Sequence, residues 1–329
     1  MAGQAAGVDL GGTKVQGVIV DKAGNQLATA VASTPVRGGP ASVVEQVAAV
    51  VRAAAANAGI GVDELDGVGV GSAGTVSPGA GLVLHAGNLS GFERPVPLAR
   101  LVAGALALDP AAVGIENDVN VAALAEYRIG AGQGLDSLLA VFAGTGVGGA
   151  VVLGGRLRHG ARGAAGEIGH TVVVMMEGEP CPCGRRGCVE AYAGRTPMER
   201  AVRAAVAAGR ATELPAIQER LGRSRLDAVV LAEALALGDE LAAELVALAA
   251  RALGTAIGSA CNLLDVQGVL LGGGLADGLG EPFARQVEGA VTPLLLANEP
   301  PVEVRRTALG GMAGAIGAGL LVHEPPSPS

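Results

Sequence analysis

The apolar residues of this chain follow two rhythms, short unbroken runs ended by glycine and longer stretches with a helical repeat. Gly7 to Leu10 is a short run that empties into Gly11-Gly12-Thr13-Lys14, and Val15 to Val20 reads as the strand returning beside it. Asp21 to Asn25 makes a turn and Gln26 to Ser33 a third strand. From Ala41 to Ala58 the apolar positions 43, 44, 47, 51 and 54 repeat at helical spacing, with Pro40 at the start and Gly59 as the stop. Gly67 to Gly71 is a strand that runs into the loop Ser72 to Gly79. A loop through Asn88 and Phe92, a helix near 96–107 and a strand near 112–116 complete a first α/β unit.

The plan then repeats. Ser137 to Phe142 is a strand, Gly144-Thr145-Gly146-Val147-Gly148-Gly149 a glycine turn, and Ala150 to Leu153 the returning strand. Two copies of strand, glycine turn and returning strand predict a duplicated α/β architecture. Pro197 to Leu264 is nearly all helical, Val266 to Leu271 is a buried strand ending in Gly272-Gly273-Gly274, and a helix follows. A strand near 302–306 and a helix near 310–322 close the pattern. A length of 329 residues is long for one core and agrees with two domains.

Composition changes the expected core rather than the expected fold. Aromatic residues are only 2% of the chain and tryptophan is absent, so the interior must be packed from Ala, Val and Leu. A net charge of −8 argues against nucleic acid as a partner. The N-terminus lacks the charged and apolar regions of a signal peptide. The apolar run Ala308 to Val322 is shorter than the roughly 20 residues of a membrane helix. The expectation is a soluble, acidic, cytoplasmic protein without a membrane partner.

The glycine motifs narrow the chemistry. Gly69/Gly71/Gly74 and Gly144/Gly146/Gly149 match Gly-x-Gly-x-x-Gly, but neither opens a helix after a strand, so a dinucleotide fold is not expected. Asp9-Leu10-Gly11-Gly12-Thr13-Lys14 and Gly144-Thr145-Gly146 instead read as hairpin turns whose amides and threonine hydroxyls face phosphate oxygens. Asp9 is a candidate for Mg²⁺, directly or through water. Each turn taken singly has a plain structural reading. The pair, with Gly273 and Gly274 available for a flat nucleoside, favours ATP.

Three of the four cysteines, Cys181, Cys183 and Cys188, fall within eight positions, and His170 lies just upstream. Three thiolates and one imidazole make a complete tetrahedral shell for Zn²⁺, with no position open for water, so such a metal is structural. The competing reading is a disulfide, with His170 as an ordinary core histidine. Glu167 and Glu190 bracket the segment.

Glu116-Asn117-Asp118-Val119-Asn120 follows a strand and opens a helix. Asp118 there is a helix N-cap by position and a general base by chemistry, with Asn117 beside it for a neighbouring hydroxyl. The segment alone does not choose between the two.

On these residues the chain resembles the ROK family of bacterial sugar kinases and sugar-responsive repressors. The most specific likeness is Glu167-Ile-Gly-His170 followed by Cys181-x-Cys183-Gly-x-x-Gly-Cys188-x-Glu190. The resemblance implies a two-lobed actin/hexokinase-like ATPase fold, a duplicated ribonuclease H-like unit with a zinc-binding loop. It implies a smaller lobe over 1–117 completed by a C-terminal helix at 309–323, a larger lobe over 118–308, and a disordered tail over 324–329. It assigns the ATP phosphates to Asp9, Gly11, Gly12, Thr13 and Lys14 and to Gly144, Thr145 and Gly146, with Gly273 and Gly274 facing adenosine. Asp118 becomes the base, and Gly74, Asn88, Asn117, Asp118 itself, Glu167, His170 and Glu190 hold the sugar, His170 also binding zinc. The implied reaction is ATP-dependent phosphorylation of a hexose 6-hydroxyl, glucose first, by a homodimer or homotetramer. The family's repressors carry an added N-terminal DNA-reading segment. Only eight residues precede Asp9 here, which favours the kinase over a sugar-sensing regulator.

Overall fold

A computed structural model describes residues 3–297 and 299–324. Its strands β1 (Ala5–Leu10), β2 (Lys14–Val20) and β3 (Gln26–Ser33) form an antiparallel meander, followed by the helix α1 (Gly39–Ala58). β4 (Gly67–Ser72) then runs parallel to β1. A small hairpin, β5 (Thr75–Ser77) and β6 (Leu82–His85), and the helix α2 (Leu98–Leu106) lead to β7 (Val113–Asn117), parallel to β4. The helix α3 (Asp118–Ile129) follows directly. The sheet order is β3-β2-β1-β4-β7, so β1 and β4 lie inside the sheet and are buried but for the half-buried Asp9, while the edge strand β3 is half exposed.

The second half uses the same order. β8 (Leu138–Ala143), β9 (Val147–Leu153) and β10 (Arg156–Arg158) form the meander. The helices α4 (Glu190–Ala193), α5 (Arg195–Ala207), α6 (Leu214–Arg220), α7 (Ala228–Ala236) and α8 (Glu240–Leu264) come next. β11 (Gly268–Gly272), α9 (Gly273–Val291) and β12 (Glu303–Arg306) complete the sheet, ordered β10-β9-β8-β11-β12. The chain ends with α10 (Ala313–Leu321). α8 is long and apolar enough to cross a membrane, unlike the shorter run weighed from sequence. Leu241, Leu245, Ala249, Leu253 and Ile257 on it are instead buried in the core of the second half.

Two compact units result. The first runs to Gln133 and takes in Gly160–Gly163 and the chain from Gly311; the second holds Gly134–His159 and Ala164–Gly310. The sequence-based boundary after Asn117 is therefore displaced, because α3 packs with α10 on the first sheet. A Cβ on Gly317 would lie 1.7 Å from the Val121 carbonyl, and one on Gly69 1.7 Å from that of Ala318. Glycine alone permits those backbone approaches. Of the expected tail at 324–329, residues 325–329 lie outside the described residues.

Three local differences follow from short-range geometry. Val147, Gly148 and Gly149 are not turn but strand, and Gly149 admits the Gly166 carbonyl to within 2.6 Å of where its Cβ would stand. β5, β6 and β10 were not anticipated, being three or four residues each. Arg156 and Arg158 are the two ends of β10 and are exposed.

Candidate functional site

Each unit gathers part of the candidate chemistry. In the first, the chain turns at Gly11-Gly12-Thr13, and the Gly11 amide donates to the Lys14 carbonyl at 3.0 Å. The Thr34 hydroxyl donates to the Gly11 carbonyl at 2.6 Å and so ties the turn to the end of the sheet. A Cβ on Gly12 would lie 3.0 Å from the Asn88 side chain, which puts Asn88 against the turn. The Lys14 ammonium donates to Gln16 Oε1.

Asp9 stands near the end of β1, partly buried. Burial and then the charge of Asp118 push its carboxyl up to about 6, and Lys14 offsets part of that rise. A carboxyl pushed up by burial and by a second acid is a site short of positive charge, the condition a divalent cation relieves.

Asn117, not Asp118, caps α3. Its Oδ1 accepts from the amides of Val119 at 3.0 Å and Asn120 at 3.2 Å, while Nδ2 donates to the Gly74 carbonyl at 3.0 Å. Gly74 has φ +94°, and a Cβ there would stand 2.2 Å from the His85 carbonyl, so the loop before β5 requires glycine. Buried Glu116 braces the same corner, accepting from the Asn117 amide at 2.8 Å and from Asn120 Nδ2 at 2.9 Å. Asp118 is the first residue inside the helix, with Oδ1 accepting the Val119 amide hydrogen at 2.9 Å. The capping duty expected of Asp118 thus falls to its neighbour.

In the second unit, the Gly144 amide donates to the Gly146 carbonyl at 2.8 Å and closes the second glycine turn. Glu190, the first residue of α4, reaches that turn: its Oε2 accepts from the Val147 amide at 3.0 Å. Its other oxygen, Oε1, lies 3.9 Å from Cys181 Sγ.

The ligand atoms of His170, Cys181, Cys183 and Cys188 all lie within 4.8 Å of one another. Cys183 Sγ is 3.8 Å from Cys188 Sγ, and Cys181 Sγ is 3.8 Å from His170 Nδ1. Sulfurs at such a distance are not a disulfide, and the four cysteines are all free. A tetrahedron with metal–sulfur bonds of about 2.3 Å has edges of about 3.8 Å, so these side chains fit a zinc ion. With Nδ1 turned to the sulfurs, His170 Nε2 faces Glu167 Oε2 at 3.9 Å. In the absence of metal, burial pushes the Cys181 thiol up to about 12, and hydrogen bonding from Arg185 holds Cys183 down at about 6. A divalent cation would make thiolates of them all. Gly187, at φ +77° with a would-be Cβ 1.9 Å from the Val174 carbonyl, lets the knuckle close.

A cavity of about 330 Å³ opens beside the second turn, with Gly144, Thr145 and Gly274 on its wall. Gly273 lies beneath at φ +86°, and a Cβ there would stand 2.5 Å from the Ala143 carbonyl. Met198, Leu226, Leu231 and Leu275 supply apolar walls, and Arg195 a cation. None of these five was expected from sequence. They come from α5, the loop before α7, α7 itself and α9, within a helical stretch whose apolar residues read equally well as core.

A model described as the ROK family matches residues 5–325. The glucokinase of Halalkalibacterium halodurans is 32% identical over 321 residues, covering 97% of this chain and 94% of that protein. The N-acetylmannosamine kinase of Escherichia fergusonii is 32% identical over 319 residues, covering 96% and 97%. Among solved structures, a ROK family glucokinase from Streptomyces griseus in complex with glucose and AMPPNP superposes with a TM-score of 0.80 at 34% identity. It covers 98% of this chain and 100% of that one. The duplicated sheet is thus that of the actin/hexokinase-like ATPases.

Proposed function

The chain belongs to the ROK family, and on that premise we propose that it is an ATP-dependent hexose kinase acting on the 6-hydroxyl, with glucose the preferred acceptor. The observation that carries the reading is the carboxylate pair of Asp9 and Asp118. Asp9 pairs in register with Gly71, a Cβ on Gly71 would lie 3.5 Å from the Asp118 Cα, and Asn117 takes the cap of the helix that Asp118 opens. Asp118 takes the proton of the sugar hydroxyl as that oxygen forms its bond to the γ-phosphorus. The bond from phosphorus to the ADP oxygen breaks, and its electron pair leaves with ADP.

Asp9 would hold Mg²⁺, which supplies positive charge to the phosphates. The turns at Gly11, Gly12 and Thr13 and at Gly144, Thr145 and Gly146 bind the phosphates through the amides of Gly12, Thr13, Thr145 and Gly146, those of Gly11 and Gly144 closing the turns themselves, with Lys14 adding charge. Adenosine takes the cavity faced by Gly274, with Gly273 beneath. Gly74, Asn88, Asn117, Glu167, His170 and Glu190 hold sugar hydroxyls, Glu190 through the oxygen not engaged by Val147. His170, Cys181, Cys183 and Cys188 would hold zinc, which supplies a fixed frame to a loop with little core of its own.

A 2-acetamido hexose is the second reading, favoured by a similarity to the N-acetylmannosamine kinase equal to that with the glucokinase. We place the enzyme in the cytoplasm, where thiols stay reduced, in sugar catabolism, and as a homodimer or homotetramer. The test is sugar phosphate formation from glucose, mannose, fructose, N-acetylglucosamine and N-acetylmannosamine, ATP and polyphosphate being compared as donors. The expected result is the highest kcat/KM for glucose with ATP. Sugar binding without sugar phosphate formation from either donor would make the protein a sensor and end the kinase reading.

A further inference from the structure

The guanidinium of Arg195 stands on the wall of the cavity beside the second glycine turn, held on two sides. Nη1 pairs with Glu199 Oε1 at 3.1 Å, and Nη2 donates to the Thr145 hydroxyl oxygen at 3.1 Å. The backbone takes part too, the Arg195 amide donating to the Gly144 carbonyl at 3.0 Å. Glu199 is itself fixed, since the same Oε1 accepts the Leu226 amide hydrogen at 2.9 Å. Both members of the pair are 19% exposed, so the ion pair is neither fully solvated nor sealed from the cavity.

We propose that Arg195 is a ligand for the phosphate chain of the nucleotide donor and sets the orientation of the Thr145 hydroxyl toward it; this rests on the kinase reading above. The chemistry has two parts. A guanidinium carries five N–H donors in a rigid plane, and two are engaged here among the described residues. The others are available to phosphate oxygens at the mouth of a pocket whose remaining walls are mainly apolar. Second, because Thr145 Oγ1 accepts from Arg195, the hydroxyl hydrogen must point away from the arginine. It is then poised to donate to an anion over the turn, whereas an isolated threonine would have to give up rotational freedom on binding. Glu199 offsets the charge of the arginine, and Asp227, the carboxylate on the same cavity wall, is paired with Arg223 at 3.5 Å.

The test measures binding of Mg·ATP, Mg·ADP and adenosine to wild type, Arg195→Met and Arg195→Lys, with melting temperatures alongside. Arg195→Met is expected to weaken ATP about 10- to 100-fold, the range for a hydrogen bond to a charged group. Adenosine affinity and the KM for hexose should stay within twofold, and Arg195→Lys should recover part of the ATP affinity. Equal losses for ATP and adenosine would make Arg195 a structural strut and overturn the proposal, as would unchanged ATP affinity in both variants. Wild type that binds no ATP at all would overturn the kinase reading first, a result distinct from either.

Discussion

Glu190 fastens the helix after the cysteine knuckle to the second glycine turn through the Val147 amide, at 3.0 Å. A Cβ on Gly146 would stand 2.3 Å from the same Oε2. Gly146→Ala must therefore displace the carboxylate or open the turn. The expected result is a KM raised about tenfold or more for both hexose and ATP, read from kinetics with both substrates varied. A rise for ATP alone would remove Glu190 from the sugar site.

Asp118→Asn keeps the shape of the first turn of α3 and removes the base. We expect kcat to fall about 10²- to 10⁴-fold, with hexose and ATP binding by calorimetry within threefold of wild type. Near-normal kcat would exclude Asp118 as the proton acceptor.

The raised carboxyl of Asp9 makes stability depend on pH. Its folded value of about 6 exceeds the ordinary 3.8, so between those values the folded chain holds a proton that the unfolded chain has released. Its contribution is most favourable below about pH 4 and becomes a penalty as pH rises through 6. Asp9→Asn should raise the melting temperature at pH 8, by up to about 3 kcal/mol of stability, and leave it nearly unchanged at pH 4. The same variant should need more Mg²⁺ for half-maximal rate. Equal melting shifts at both pH values would contradict the assignment.

Metal removal should act on the sugar. Cys183→Ser, or dialysis against a strong chelator, is expected to abolish bound zinc in elemental analysis and raise the hexose KM about 10- to 100-fold. Adenosine binding should change far less. Full hexose affinity in metal-free protein would show that the knuckle does not position His170 and Glu190.

The contact of α10 with α3 and the first sheet predicts a purely structural defect. Gly317→Ala places a methyl 1.7 Å from the Val121 carbonyl, and the backbone has to separate. A loss of about 3 kcal/mol, seen as a lower urea midpoint, is expected. Wild-type stability would mean that the helices slide without cost.

The two glycine turns and the cysteine knuckle were legible because each is compact in sequence. All zinc candidates lie between His170 and Cys188, and each glycine turn follows a short, largely buried strand. Asn117 and Asp118 were harder to separate, since both residue types cap helices and only the coordinates show which one does. The cavity was invisible for another reason. Arg195, Leu231 and Leu275 belong to three different helices, and helical periodicity marks a side chain as inward-facing without saying whether it meets a neighbour or a void. The short strands β5 and β10 carry too few residues to establish alternation.

The return of α10 to the first sheet also orders events during synthesis. Gly7 and Gly69 lie early in the chain, yet the helix that covers them is translated only after every segment of the second unit. The second unit, whose segments all precede Gly311, has its full complement while the first still lacks a layer. On the ribosome the later-encoded half can therefore mature ahead of the earlier one, leaving β1 and β4 with one uncovered face until α10 emerges.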